Sequence, residues 1–207
     1  PFRNSNQAGN LPMKYTKYLA IAAVAAAAFM QLPAPASAAD TYALDISHTQ
    51  IRFAVTRGGW TEIAGWFKKF DGSIVFDEAN VGNSKVSATI ETESFDSGWD
   101  ARNRHLRSPA FFNAKEFPAM TFTSTKIEKT GAKTGRMTGN LTLLGKTKPV
   151  TLDIRFNRKA AHPRNKKTFV GFTATGSLKR SDYGMTFLLG PVADEVRIRI
   201  EALAVKK

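Results

Sequence analysis

From Tyr42 to the C-terminus, apolar and polar side chains alternate one by one in short runs. A period of two commits such runs to β-strands with one buried face. Ile51, Phe53 and Val55 alternate with Arg52, Ala54 and Thr56, and Val86, Ala88 and Ile90 with Ser87, Thr89 and Glu91. Val150, Leu152, Ile154 and Phe156 stand against Thr151, Asp153 and Arg155, and Val196, Ile198 and Ile200 against Arg197, Arg199 and Glu201. A parallel α/β sheet would read as continuous apolar strands separated by helices, and neither pattern is present. Further strands fit residues 65–76, 120–127, 136–143 and 169–178, bringing the number to about eight.

The links are short and rich in Gly, Asn, Asp and Lys. Residues 129–135 and 145–148 read as hairpin turns, and 159–167, with His162 and Pro163, as a solvated loop. The exception is 96–117. There Asp96 or Ser97 is placed to cap a helix running through Leu106, and Ser108-Pro109 has the form of a second helix start. Antiparallel strands with one apolar face favour closure, because closure removes both exposed edges. The expected fold is all-β: an eight-stranded antiparallel barrel with a short helical insertion around residues 96–113, placed to cover one end.

The first 38 residues stand apart from this pattern. Met13 is the expected start, Lys14 and Lys17 form a basic region, residues 18–30 are apolar, and Ala36-Ser37-Ala38 matches a small-residue cleavage site. The apolar run falls short of the ~20 residues that span a bilayer. The expected organisation is an upstream segment over 1–12, a signal peptide over 13–38, and one barrel domain over 39–207 exported to the periplasm.

Charge and cysteine content narrow the function classes. Residues 1–38 hold three bases and no acid, so residues 39–207 carry 27 Lys and Arg against 17 acids, a net +10. Such a balance favours phosphates and acidic lipid head groups, and export argues against nucleic acid. The chain has no cysteine, which removes disulfides, thiolate metal sites and a thiol nucleophile. His48, His105 and His162 are isolated from one another, with no metal-site spacing, and no P-loop, dinucleotide fingerprint or G-x-S-x-G elbow occurs.

Two features point to an amphiphile. Arg102, Arg104, His105 and Arg107 cluster beside Trp99, Phe111 and Phe112, cations next to aromatics at the expected barrel mouth. Thirteen phenylalanines remain after residue 38, many of them in strands. In an eight-stranded barrel inward side chains either fill the interior or leave a slot for one ligand. Burial of a hydrocarbon tail in such a slot yields ~0.8 kcal/mol per CH₂.

Several segments in order resemble the YceI-like family of bacterial periplasmic proteins. They are YALDISHTQIRFAV, GWFKKFDGSIVFD, RNRHLRSPAFFNAKEFPAMTFTST, GNLTLLGKTKPVTL and LKRSDYGM, with Asn103, Ala110 and Asn113 standing where acids are usual. The resemblance implies a lipocalin-like barrel that binds an isoprenoid quinone or a prenyl pyrophosphate in an internal pocket, with no cofactor required and no catalysis. On that basis His48, Arg102, His105 and Arg180 are expected at the head group or mouth, and Phe53, Phe67, Phe76, Ile90, Phe112, Phe122 and Phe172 along the pocket wall. The expected partners are the lipid or quinone, an inner-membrane surface and a second copy in a homodimer. Two other readings remain: a lipid-modifying enzyme using His48 or His105 as base, and a basic stress protein coating anionic membranes.

Overall fold

The computed structural model describes residues 39–207; the leader expected over 13–38 and the segment before it lie outside the described residues. Eleven strand segments follow in order: β1 (Asp40–Leu44), β2 (Gln50–Arg57), β3 (Thr61–Phe67), β4 (Phe70–Phe76), β5 (Lys85–Glu91), β6 (Phe95–Asp96), β7 (Ala119–Lys129), β8 (Thr134–Leu143), β9 (Lys146–Ala161), β10 (Thr168–Lys179) and β11 (Val192–Lys206). One helix, α1 (Asp100–Arg107), lies between β6 and β7.

The register reduces these segments to eight strands. Both β1 and β2 run antiparallel to β11, Leu44 opposite Ala204 and Ile51 opposite Ile200, so they are two halves of one strand. β3 pairs with β2 while β4 pairs with β1, and β6 pairs with β3 while β5 pairs with β4, so these too are halves of broken strands. Each strand then pairs with its neighbours in sequence, and β11 closes the ring onto β1 and β2. The result is an up-and-down antiparallel barrel of eight strands.

The single expected strand over 65–76 is therefore two segments, interrupted at Lys68 and Lys69. The β1–β2 break has a clear mechanism. The buried Thr49 hydroxyl accepts from the Leu203 N–H at 3.1 Å and donates to the Leu203 carbonyl at 3.0 Å, replacing the ladder bonds the broken strand cannot make.

The barrel has two unlike ends. At one lie the β2–β3 turn, the β8–β9 turn, the 180–191 loop and the β6–β7 connection with α1; at the other lie the 77–84, 130–133 and 162–167 links. The β8–β9 turn is Leu144-Gly145, with φ of 52° and 70°, rather than the expected 145–148. Two consecutive positive φ values match the twist of a tight two-residue hairpin.

The helical insertion is also shorter than expected. α1 starts at Asp100 with Trp99 at the N-cap position, and neither Asp96 nor Ser97 caps it. Ser108-Pro109 starts no second helix. Ser108 ends α1, and its carbonyl accepts from the amides of Phe111 and Asn113 in a chain of turns. Asn113 there adopts φ 43°, a conformation that asparagine tolerates.

The alternation puts apolar side chains inward and polar ones outward, Trp66 on the outer wall being an exception; in β5, Val86, Ala88 and Ile90 are shielded while Ser87, Thr89 and Glu91 face water. That is the reverse of a transmembrane barrel, whose lipid-facing exterior is the apolar side. The buried apolar residues form three separate clusters. One sits beneath α1 around Phe67, Phe95 and Phe112, one at the far end around Tyr42, Ile74 and Phe76, and one on the wall around Met137, Val150 and Leu152.

Candidate functional site

Between those clusters the barrel is hollow. A cavity of about 1150 Å³ runs from residues of α1, such as Arg102, His105 and Leu106, to residues of the β7–β8 hairpin, such as Lys129 and Lys133. It exceeds the ~300–1,000 Å³ of common small-molecule pockets and has room for on the order of 40 groups of water or methylene size. The inward side chains of β2 and β11 remain only half-buried, including Ile51, Phe53, Val55, Val196, Ile198 and Ile200. In a filled core these aliphatic and aromatic residues would be shielded completely.

All seven residues expected on the pocket wall line this cavity: Phe53, Phe67, Phe76, Ile90, Phe112, Phe122 and Phe172. They divide into two aromatic groups joined by aliphatic wall. Phe53, Phe67 and Phe112 join Phe95 beneath α1, with ring centroids 5.0–5.9 Å apart. Phe76 and Phe172 join Phe156 towards the other end, at 5.4–5.9 Å. Phe122 lies across β8 over Gly139, where an added Cβ would sit 2.3 Å from its ring. The aromatic wall requires glycine at that crossing.

The polar candidates divide. Arg102 and His105 line the cavity from α1. The Arg102 guanidinium stands 5.7 Å from the centre of the Trp99 ring, and donates to the Ser97 hydroxyl at 2.8 Å and the Ser97 carbonyl at 2.7 Å. The His105 ring packs edge-on against Phe111 and Phe187 at 5.0 and 5.6 Å.

Arg180 also borders the cavity, but it is only 3% exposed. Its guanidinium donates to four backbone carbonyls, those of Met185, Phe187, Val192 and Ala193, at 2.7–3.0 Å. Its geometry is that of a staple for the 180–191 loop.

His48, expected at the mouth, is not part of the cavity lining. It lies exposed in the β1–β2 break on the barrel wall, where Nδ1 meets Asp45 Oδ2 at 2.8 Å and Ser47 Oγ at 2.9 Å. The motif around it shapes the strand break. Serine and acid share one ring nitrogen, whereas a Ser–His–Asp relay needs them on opposite nitrogens. Among the described residues, no three His, Asp or Glu side chains gather in a metal-ligating group.

Helix α1 is held by a buried polar clamp. The Asn103 Oδ1 accepts from the Ser97 amide and hydroxyl at 2.8 and 2.7 Å, and its Nδ2 donates to Asp96 at 3.1 Å. An amide serves both acceptor and donor roles there; an ionised acid could only accept. Asp96 also accepts from the Gly98 amide and pairs with Lys68 at 2.5 Å. The Lys68 ammonium first, then the Gly98 amide and Asn103, hold its carboxyl far below the usual carboxylate range. Arg107 ties the end of the helix to the carbonyls of Glu93 and Phe95.

Three groups at the α1 end escaped the sequence reading: Trp60, Arg57 and the Phe187-Leu188-Leu189 run. Their signals are present, a tryptophan straight after Gly58-Gly59 and an apolar run directly before Gly190-Pro191, where no strand can continue.

The YceI-like domain family matches residues 42–204. Protein YceI of Salmonella arizonae is 41% identical over 160 residues, which span 77% of this chain and 83% of that protein. The crystal structure of Burkholderia cenocepacia BcnA superposes with a TM-score of 0.69 at 27% identity, covering 77% of this chain and 98% of BcnA. A polyisoprenoid-binding domain from Saccharophagus degradans, implicated in plant cell wall breakdown, superposes at 0.61 with 14% identity over 80% of this chain and 98% of the domain, a likeness of fold alone. On the extent of the domain match and the identity to Salmonella YceI, the chain belongs to the YceI-like family.

Proposed function

We propose that the protein is a non-covalent carrier of a long-chain isoprenoid lipid, an isoprenoid quinone or a polyprenyl pyrophosphate, working in the periplasm and exchanging its cargo at an inner-membrane surface. The observation that carries this reading is the elongated apolar hollow of about 1150 Å³ in a barrel whose inward side chains stay half-exposed. The polyisoprenoid-binding domain of the same fold lends support. The shape suits a thread: an apolar interior for the tail, with Arg102, His105 and Trp99 at one end for a polar head. At ~0.8 kcal/mol per methylene, burial of twenty methylenes matches or exceeds an association cost of about 4–15 kcal/mol.

The test is lipid extraction and native mass spectrometry of protein purified without detergent, with a prenyl-type lipid as the expected finding. Phe122→Arg places a charge in the apolar wall and is expected to abolish retention. Ile198→Trp fills the hollow without adding charge, and is expected to keep the fold and lose the lipid. Recovery of a lipid-free barrel under these conditions, or equal retention in the filled variant, overturns the reading.

A further inference from the structure

We propose that the α1 end of the barrel is a docking face for an anionic bilayer, on which the protein stands with the cavity mouth against the lipid. The exposed apolar side chains of this end come from three separate elements. Trp60, at the β2–β3 turn, is 90% exposed; Trp99, before α1, is 61% exposed; Phe187, Leu188 and Leu189, in the 180–191 loop, are 40–45% exposed. The backbone brings these elements together. The Gly58 amide donates to the Pro191 carbonyl at 2.8 Å, Arg57 pairs with Val192, and the Phe187 ring lies against His105 and Phe111 at 5.6 Å each.

The loop is built to hold this display. Leu188 adopts φ 55°, a left-handed conformation that leucine rarely takes, and the four carbonyl bonds of Arg180 keep the loop in place around it. At the opposite end the described residues present no large exposed apolar side chain; the remaining two, Ile46 and Trp66, lie on the barrel wall.

The occupant follows from the chemistry of the rim. Tryptophans with a wet edge sit at the head-group level of a bilayer, and leucine and phenylalanine enter the acyl boundary. Arg57 and Arg102 border the mouth and Arg104 is exposed on α1, set to meet lipid phosphates. Arg57, Trp99, Arg102, His105 and Leu188 also line the cavity, so rim and interior are one continuous surface. Resting on the carrier reading above, this arrangement lets the head group stay in the interface while the tail swings from bilayer to barrel without crossing water.

The chain carries its own reporters, because Trp60 and Trp99 stand on the proposed face and Trp66 on the wall, and there is no fourth tryptophan. The experiment uses vesicles of phosphatidylcholine with and without phosphatidylglycerol, some containing head-group-level quenchers. Variants keeping only one tryptophan, with phenylalanine in place of the other two so that the face stays apolar, are expected to bind vesicles and to show quenching of Trp60 and Trp99 and none of Trp66, stronger with phosphatidylglycerol and weakened by salt.

The double variant Trp60→Ser/Leu189→Asp alters two residues outside the cavity lining. It is expected to weaken vesicle partitioning by about tenfold or more while retaining any cargo. Ile198→Trp is expected to behave oppositely, keeping vesicle binding and losing cargo, so failure of docking and failure of the carrier reading give different results. Unchanged partitioning of the double variant overturns the proposal, as does equal quenching of Trp66. Self-association lost in the double variant, with no vesicle binding, also overturns it and assigns the face to a second copy.

Discussion

The two ends of the barrel are held with different emphasis, hydrogen bonds to backbone carbonyls at one and lysine ion pairs at the other. At the α1 end the chain is held by directed hydrogen bonds, most of them at least part-buried: Arg180 on four carbonyls, Asn103 between Ser97 and Asp96, Arg107 on Glu93 and Phe95. At the far end ion pairs that still reach solvent, Lys159 with Asp40 and Glu78 and Lys206 with Asp40, work beside one buried carboxylate, Asp77, which accepts from the Asn80 amide and the Asn83 side chain. The first arrangement fixes a shape while leaving apolar side chains outside; the second keeps a surface wet and charged. A mouth that must stay open and greasy cannot be secured by packing its own apolar groups together, so polar staples do that work beneath them.

Removal of one staple at each end tests this contrast, and the largest effect is expected from Arg180. Arg180→Ala strands four carbonyls around a buried gap, with a cost of about 3 kcal/mol or more. For a domain of this size that lowers Tm by roughly 6–12 °C. Lys159→Ala at the far end removes ion pairs that still reach solvent, and is expected to shift Tm by no more than about 4 °C. Equal losses in the two variants, measured by calorimetry, would break the comparison.

A second measurement probes the far end from inside. Phe76, Phe156 and Phe172 crowd the cavity there. Phe156→Ala is expected to shorten this obstruction and shift the retained lipid towards longer tails, read as a change in the chain-length profile of extracted lipid. An unchanged profile would mean that the trio does not limit the tail.

Acid sharpens the comparison further. Asp96 at the α1 end is held below its unfolded value by Lys68, and Asp40 at the far end by Lys206. A carboxyl whose folded pKa is depressed contributes stability that is fully present above its unfolded pKa, near 3.9, and lost as pH falls through the folded value. Urea midpoints are therefore expected to hold from neutrality to about pH 5 and then fall. Asp96 lies deeper below the usual range than Asp40, so Asp96→Asn is expected to flatten the acid slope more than Asp40→Asn. The reverse order would show that the far-end pairs matter more.

How much of this was legible in the sequence follows from the range of the forces involved. Strand alternation and the pocket-wall phenylalanines were readable because a period of two fixes which face each side chain takes, whatever the partner strand. Hollowness was not, since Ile198 reads the same whether its neighbour across the barrel touches it or stands a ligand's width away, and both arrangements fit a barrel of this type. The contacts of His48 and Arg180 were not legible for a related reason. Both are polar residues in recognisable motifs, yet His48 shapes a strand break and the Arg180 donors meet carbonyls several residues away, contacts no local pattern encodes. The β8–β9 turn moved because Leu144 takes a left-handed conformation that residue type argues against.

The smallest expected effect concerns the one buried side-chain nitrogen or oxygen among the described residues that finds no partner, the Tyr183 hydroxyl. Tyr183 sits in the cluster beneath α1, 2% exposed, and burial pushes its phenol up to about 12. A buried hydroxyl without a bond loses its water and gains nothing, so Tyr183→Phe is expected to be neutral or stabilising by up to about 1 kcal/mol. The sign of the pH dependence separates this from a general packing gain. Above about pH 10 the unfolded phenol ionises while the buried one stays neutral, so the native protein loses stability between about pH 10 and 12 through this group. In the phenylalanine variant that part of the alkaline loss disappears, and the difference between the two proteins widens with pH. A variant less stable than the parent at neutrality would show that the hydroxyl has a partner after all, and that the α1 end is stapled at one more point than these contacts account for.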